Sequence, residues 1–154
     1  MELPCASRIF GRRFNLRSFP EGHGELIYYE RPDVTGPKRS SYSVHETDDS
    51  AELKAVLAAA LGVAGTVCKE RRLYLKGPTR IHLDRVEHLG DFMELEVVLQ
   101  PDQDESEGIA IVAELMRALG IRDEDLVDGA YFDLLKKTRK VPTCAGFDAD
   151  EISW

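Results

Sequence analysis

Apolar and charged residues interleave along the first two-thirds of the chain, and that interleaving predicts strands. They alternate from Arg13 to Phe19 and again from Glu25 to Arg31, while the stretch between, Pro20 to Gly24, is rich in turn formers. The two runs predict an antiparallel hairpin. A breaker-rich loop through Pro32, Gly36 and Pro37 precedes a short strand around Ser40 to His45. The period then changes. Asp49 stands as an N-cap with Glu52 in the first turn, and Leu53, Val56, Leu57, Ala60 and Leu61 recur at helical spacing before Gly62. Such a helix is expected to be amphipathic and to lie on a sheet. Strand-like runs follow at Thr66 to Leu75, Thr79 to Val86 and Asp91 to Leu99, with turns at Gly77-Pro78 and Leu89-Gly90. Their short connections predict an antiparallel meander. A second helix runs from after Ser106 through Ile111, Val112, Leu115, Met116 and Leu119 to Gly120, and further helical pattern covers Asp123 to Lys137. Thr138 to Trp154 is polar, has no period, and reads as a loose tail.

Side chains two apart on a strand share a face, so the alternation also says where the charges point. Glu94 and Glu96 share one face of their run, and Met93, Leu95, Val97 and Leu99 take the other. Lys69 and Arg71 share a face, as do Arg80, His82 and Asp84, with Ile81 and Leu83 on the reverse. Two arrangements fit. Charged faces that look at bulk water, with apolar faces packed on helices, make an ordinary sheet-plus-helices domain. Alternatively the sheet curls so that the charged faces line a shared interior and the helices cover the apolar exterior. Alternation alone favours the first, because unpaired buried charges cost about several kcal/mol each. The second needs a ligand, and a polyphosphate suits it. Arg and Lys bind phosphate oxygens through charge-assisted hydrogen bonds, and carboxylates hold a Mg²⁺ or Mn²⁺ that bridges the same oxygens.

The chain has 154 residues, which predicts one domain, and no stretch reaches the ~18 apolar residues of a membrane span. No basic-then-apolar leader precedes Cys5, and Cys5, Cys68 and Cys144 are odd in number and scattered, which argues against a disulfide framework or a closed zinc site. A cytoplasmic, reducing location is the expectation. The net charge of -8 argues against nucleic acid, yet it is unevenly spread. Residues 66–85 carry six Lys and Arg against two acids, whereas residues 86–154 carry six against seventeen. Among other signals, Gly36-Pro37-Lys38-Arg39-Ser40 lacks the spacing of a phosphate loop. Cys68 sits on the apolar side of its strand and reads as core.

Several segments, in order from about Gly11 to Leu135, carry a family likeness. They are Leu16-Arg17; Leu26 to Asp33; Gly36-Pro37-Lys38 with Ser40 and Tyr42; Val67 with Lys69, Arg71 and Leu73-Tyr74; Thr79-Arg80-Ile81-His82-Leu83-Asp84; Leu89-Gly90-Asp91-Phe92 with Glu94-Leu95-Glu96; and Ala130 to Leu135. The sequence resembles the CYTH family of triphosphate tunnel enzymes, closest to its class IV adenylate cyclase-like branch. The resemblance implies an α+β fold, an antiparallel β-barrel tunnel with helices packed outside, and so turns the charged faces inward. It implies Lys69 and Arg71 as catalytic cations, with Arg17, Arg31, Lys38 and Arg80 as further phosphate-binding residues. Asp84, Glu94 and Glu96 are implied as holders of Mg²⁺ or Mn²⁺. The implied partner is a nucleoside or inorganic triphosphate, turned over by cyclisation of ATP or by hydrolysis, with no nucleic acid and no membrane.

The likeness departs from the family at one place. The family's N-terminal Glu-x-Glu-x-Lys strand has no match, Glu2 being a lone acid, and Asn15 stands where relatives often have Lys. Residues 1–137 are therefore expected to form a CYTH-like domain lacking its first strand, and 138–154 a C-terminal tail. An incomplete barrel would leave an edge open to a partner strand, as in a homodimer. The alternatives to an enzyme are a catalytically impaired phosphate-binding module and a fragment completed by a partner.

Overall fold

The structure is a computed structural model that describes residues 12–30, 40–138, 140, 142, 144 and 149–153. β1 (Arg12–Ser18), β2 (Gly24–Glu30) and β3 (Ser41–Thr47) form one antiparallel meander, with Arg17 opposite Glu25 and Leu16 opposite Leu26. β4 (Gly65–Lys76), β5 (Thr79–Val86) and β6 (Gly90–Val97) form a second, with Arg71 opposite Asp84 and Arg80 opposite Glu96. The predicted hairpin and meander are both present.

What joins the two meanders is β7 (Ala149–Ser153). It lies antiparallel to both β1 and β4 and gives a seven-stranded sheet of order β3-β2-β1-β7-β4-β5-β6. Within 138–154, which reads from sequence as a loose tail, residues 149–153 are thus a paired strand. A five-residue strand without apolar alternation carries no signal of its own, and its place is set by the ladder edges of β1 and β4 on either side.

The predicted barrel is corrected as well. Among the described residues β3 and β6 form no ladder with each other, so the sheet stays open. It is nevertheless curled. Tyr42 of β3 comes close enough to Arg80 on β5 to help hold up the guanidinium's pKa, although four strands separate them in the sheet order. The side of the sheet that bears Arg17, Lys69, Arg71, Arg80, Asp84, Glu94 and Glu96 is therefore its concave side.

Helices cover both sides, not only the outside. α1 (Ser50–Leu61) starts at Asp49, whose carboxylate accepts the Glu52 N–H at 2.8 Å, and α1 packs on β1. It is Ala-rich rather than sharply amphipathic, and Val56 and Leu61 remain exposed. α2 (Glu105–Leu119) is capped by Asp104 and closed by Gly120 in the left-handed conformation, with the Ile121 N–H donating to the Met116 carbonyl at 2.9 Å. Gly108 of α2 lies against Leu99, on the convex side.

The expected helical stretch from Asp123 is split into a single 3-10 turn at Asp123–Asp125 and α3 (Tyr131–Thr138). The Asp125 carboxylate accepts the Arg122 N–H at 2.9 Å and Gly129 adopts a φ of 92°, so local side-chain bonding and a left-handed residue interrupt the helix. α3 packs against β4 on the concave side. Its Leu135 meets Val67 and Val86, with Leu89, Phe92, Tyr131 and Phe132 around them. Burial of aliphatic side chains of this kind stabilises by ~1.5–3 kcal/mol each. A Cβ at Gly65 would overlap the Phe132 ring. Gly65→Ala is accordingly expected to destabilise by about 1–3 kcal/mol, seen as a lower urea midpoint; an unchanged midpoint would show that α3 does not press on β4 there.

Cys68 and Cys144 form a disulfide, with Cα atoms 5.1 Å apart. The expectation of no disulfide framework is corrected at this pair: 76 residues of sequence separation say nothing about distance once the C-terminal segment returns to β4. Among the described residues no helix is long and apolar enough to cross a membrane.

Candidate functional site: a charged concave face

The concave face owes its charge to period-two alternation on adjacent antiparallel strands, because residues directly opposite in register share a side. β4 supplies Lys69 and Arg71, β5 supplies Arg80, His82 and Asp84, and β6 supplies Glu94 and Glu96. Arg71 anchors the group. Its Nε donates to Asp84 Oδ1 at 2.7 Å and its Nη2 to Asp84 Oδ2 at 2.6 Å, and Nη2 also reaches Glu94 Oε2 at 3.0 Å. The Asp84 side chain is fully buried. A third bond comes from the Tyr131 hydroxyl, which donates to Asp84 Oδ2 at 3.0 Å from the first turn of α3.

These contacts fix the protonation states. Burial alone would raise the Asp84 pKa, but the Arg71 bonds and charge, Lys69 and Tyr131 outweigh it and hold the carboxyl below its ordinary range. Burial likewise opposes the Arg71 charge, and Asp84 and Glu94 overcome it, so the guanidinium stays protonated. Tyr131 is pushed up by burial and by the neighbouring carboxylates and remains a neutral donor. Lys69 is 5% exposed, and its Nζ lies 5.5 Å from the centre of the Tyr131 ring, a cation–π distance.

The second carboxylate group is looser. Glu96 Oε2 accepts from Arg80 Nη1 and meets His82 Nε2, each at 3.4 Å. The His82 bond, with Arg80 beside it, lowers the Glu96 pKa. Arg80 is held above its usual value by the Glu96 charge and then by Tyr42. Glu94 leaves 48% of its side chain exposed and Glu96 leaves 32%. On the other side of β7, Arg17 Nη1 donates to Glu25 Oε2 at 2.8 Å. Register places Arg17 opposite Glu151 of β7, which is itself opposite Val67 of β4, so Arg17 belongs to the concave face.

Of the residues singled out from sequence, Lys69, Arg71, Arg80, Asp84, Glu94 and Glu96 come together on three neighbouring strands, and Arg17 stands apart across β7. Arg31 and Lys38 lie outside the described residues. Tyr131 and Tyr42 were not assigned roles. Tyr131 falls within a quoted family segment, but nothing in the pattern of a short helix says that its hydroxyl reaches a carboxylate 47 positions away. Asp84, Glu94 and Glu96 do not gather into a three-ligand cluster. The one such grouping among the described residues is Cys68, Glu87 and Cys144, whose sulfurs are already bonded to each other.

A family model for the CYTH domain matches residues 12–131. The chain belongs to the CYTH family. The family's fold is a tunnel, its members in general bind triphosphates, and they generally depend on a divalent metal. Solved structures agree on the fold. The PH1012 protein of Pyrococcus horikoshii OT3 is similar at a TM-score of 0.65 and 22% identity, covering 81% of this chain and 84% of that one. A conserved hypothetical protein, Pfu-838710-001 from Pyrococcus furiosus, is similar at a TM-score of 0.57 and 22% identity, covering 80% and 81%. The PH1819 protein of Pyrococcus horikoshii OT3 is similar at 0.57 and 19%, covering 84% and 88%. No curated protein sequence matches this CYTH chain.

Donor chemistry on the concave face fits a hard cation. Magnesium is commonly held by one or two carboxylates together with substrate phosphates rather than in an all-protein cage. Glu94 and Glu96, two apart on β6 and partly exposed, offer oxygens of that kind. Asp84 is placed differently: its side chain is fully buried and bonded to Arg71 and Tyr131.

Proposed function

We propose that the concave face binds a nucleoside or inorganic triphosphate together with Mg²⁺ or Mn²⁺ and turns it over, by cyclisation of ATP or by hydrolysis. The observation that carries this reading is the Arg71–Asp84 pair. Asp84 grips Nε and Nη2 of Arg71, while Nη1 has no hydrogen-bond partner among the described residues. That guanidinium is oriented in advance, and its remaining donors suit phosphate oxygens. Lys69 and Arg80 flank it on the same face.

Charge balance supports a role for the metal. Lys69, Arg71 and Arg80 are offset by Asp84, Glu94 and Glu96, so a bare polyphosphate would meet repulsion as well as attraction. Glu94 and Glu96 would hold a divalent ion, which would supply the missing positive charge. The protein's own residues then hold the phosphate chain. Arg80 and Arg71 exchange their longer contacts to Glu96 and Glu94 for phosphate oxygens, while the buried Arg71–Asp84 pair stays in place. The class IV cyclase-like likeness makes ATP the first nucleotide to test.

A second reading, binding without turnover, is favoured by the burial of Asp84 beneath Arg71 and Tyr131, which ties that carboxylate to positioning Arg71 instead of meeting a reacting group. Incubation with ATP or tripolyphosphate and Mg²⁺ or Mn²⁺ separates the two. Turnover is expected as orthophosphate release or as pyrophosphate with a cyclic nucleotide, and Glu94→Ala/Glu96→Ala should lower the rate at least tenfold. Unchanged turnover in that variant would overturn the metal assignment; tight binding with no product would establish the second reading.

A further inference from the structure

We infer that the Cys68–Cys144 disulfide is a redox latch that keeps β7 in the sheet and thereby keeps the concave face in one piece. The latch rests on topology; only its effect on ligand affinity rests on the triphosphate reading above.

Among the described residues β1 and β4 share no ladder, and β7 is the strand that pairs with both. It is short, with four residues in register with β1 and five with β4. A strand that short, with only four or five ladder positions on either side, belongs to the low-stability end of a fold. Cys144 lies just before β7 in sequence, and its bonded partner Cys68 stands opposite Asp150 in the β4–β7 register. The bond therefore ties the approach to β7 directly onto the strand that β7 must join.

The Cys144 N–H donates to Glu87 Oε2 at 2.9 Å, and the Glu87 N–H donates to the Cys68 carbonyl at 2.9 Å. Cys144 has a φ of 58°, in the left-handed region that a residue with a Cβ avoids, so local chain preference does not hold it there. Without the sulfur bond, bringing Cys144 back to β4 closes a loop of 76 residues against chain entropy.

Cys68 is wholly buried, whereas Cys144 is partly exposed, so attack at the Cys144 side of the bond is the more accessible route. A thiolate of a small reductant such as glutathione attacks Cys144 Sγ, the S–S bond breaks, and Cys68 leaves as a thiolate that takes a proton. A second glutathione resolves the mixed disulfide and frees the Cys144 thiol. Two electrons and two protons pass to the protein, and two glutathiones leave as their disulfide. With β7 released, Arg17 of the first meander is no longer tied to Lys69 and Arg71 of the second.

Hydrogen exchange read by mass spectrometry, on the full chain oxidised and after reduction with dithiothreitol, tests this directly. Reduction is expected to speed exchange at least tenfold in 149–153 and in the facing segments 15–18 and 65–69, with β5 and β6 unchanged. Cys144→Ser without reductant should reproduce that pattern. Tripolyphosphate affinity, measured on the same samples, should fall about tenfold. Equal exchange at β7 in both states overturns the latch, as does faster exchange throughout β5 and β6, which would mean general unfolding. Tripolyphosphate binding absent from both states overturns the triphosphate reading instead and leaves the latch to be judged on exchange alone.

Discussion

Lys69→Ala combined with Arg71→Ala is expected to weaken tripolyphosphate binding at least a hundredfold. Each side chain offers charge-assisted hydrogen bonds worth roughly 1.5–3 kcal/mol, and every ~1.4 kcal/mol is tenfold in affinity. Calorimetric titration alongside the wild type reads the ratio. Arg71→Ala also strands Asp84, a carboxylate with no solvent access, so loss of fold would imitate loss of ligand. The companion Lys69→Ala/Arg80→Ala leaves the Arg71–Asp84 pair intact and should still lose at least tenfold. Wild-type affinity in both variants would remove these cations from the site.

Asp84→Ala is expected to cost about 3–5 kcal/mol of folding stability, the usual penalty for removing one partner of a buried ion pair. It leaves Arg71 without its bidentate acceptor and the Tyr131 hydroxyl without the oxygen it donates to. Urea unfolding at neutral pH measures the loss. The pH dependence gives an independent check. Asp84 is depressed below the ordinary aspartate value of 3.8, so the unfolded chain takes up its proton first on acidification. The stability that Asp84 contributes is fully present well above pH 3.8 and is lost as pH falls through the lower folded value. The gap between wild type and Asp84→Ala should therefore hold steady from pH 7 to about 5 and narrow below that window. A gap that stays constant into acid would mean that Asp84 is not held ionised by Arg71.

Most of the charged face was legible because it rests on one local rule. Glu94 and Glu96, Lys69 and Arg71, and Arg80, His82 and Asp84 each alternate with apolar neighbours, and a period of two leaves them no other common side. Which way that side turns was not legible from alternation alone. The family likeness pointed inward, and the curl that brings Tyr42 to Arg80 agrees, although the sheet does not close into the expected barrel.

The features that escaped are those set by distant parts of the chain. β7 is too short and too polar for its own pattern to announce a strand, and it exists because β1 and β4 present ladder edges to it. The disulfide follows from that return and not from cysteine spacing. α3 was expected outside with the other helices, yet Tyr131 and Leu135 take it to the concave side. That placement also changes the reading of Asp84. By pattern it resembled Glu94 and Glu96, a third acid for the metal; by contact it is the carboxylate that orients Arg71.

A triphosphate site on the concave face requires that side of the sheet, and not the convex one, to meet the anion. Arginine Nε–H signals in ¹⁵N-labelled protein distinguish the two sides, because Arg17, Arg71 and Arg80 lie on the concave face while Arg72 and Arg85 sit on the convex one, paired with Glu70 and Asp91. Titration with tripolyphosphate and Mg²⁺ should move the Arg71, Arg80 and Arg17 signals with a single saturating curve and leave Arg72 and Arg85 in place. Movement of Arg72 and Arg85, or no movement at Arg71 and Arg80, would contradict a triphosphate site on the concave face.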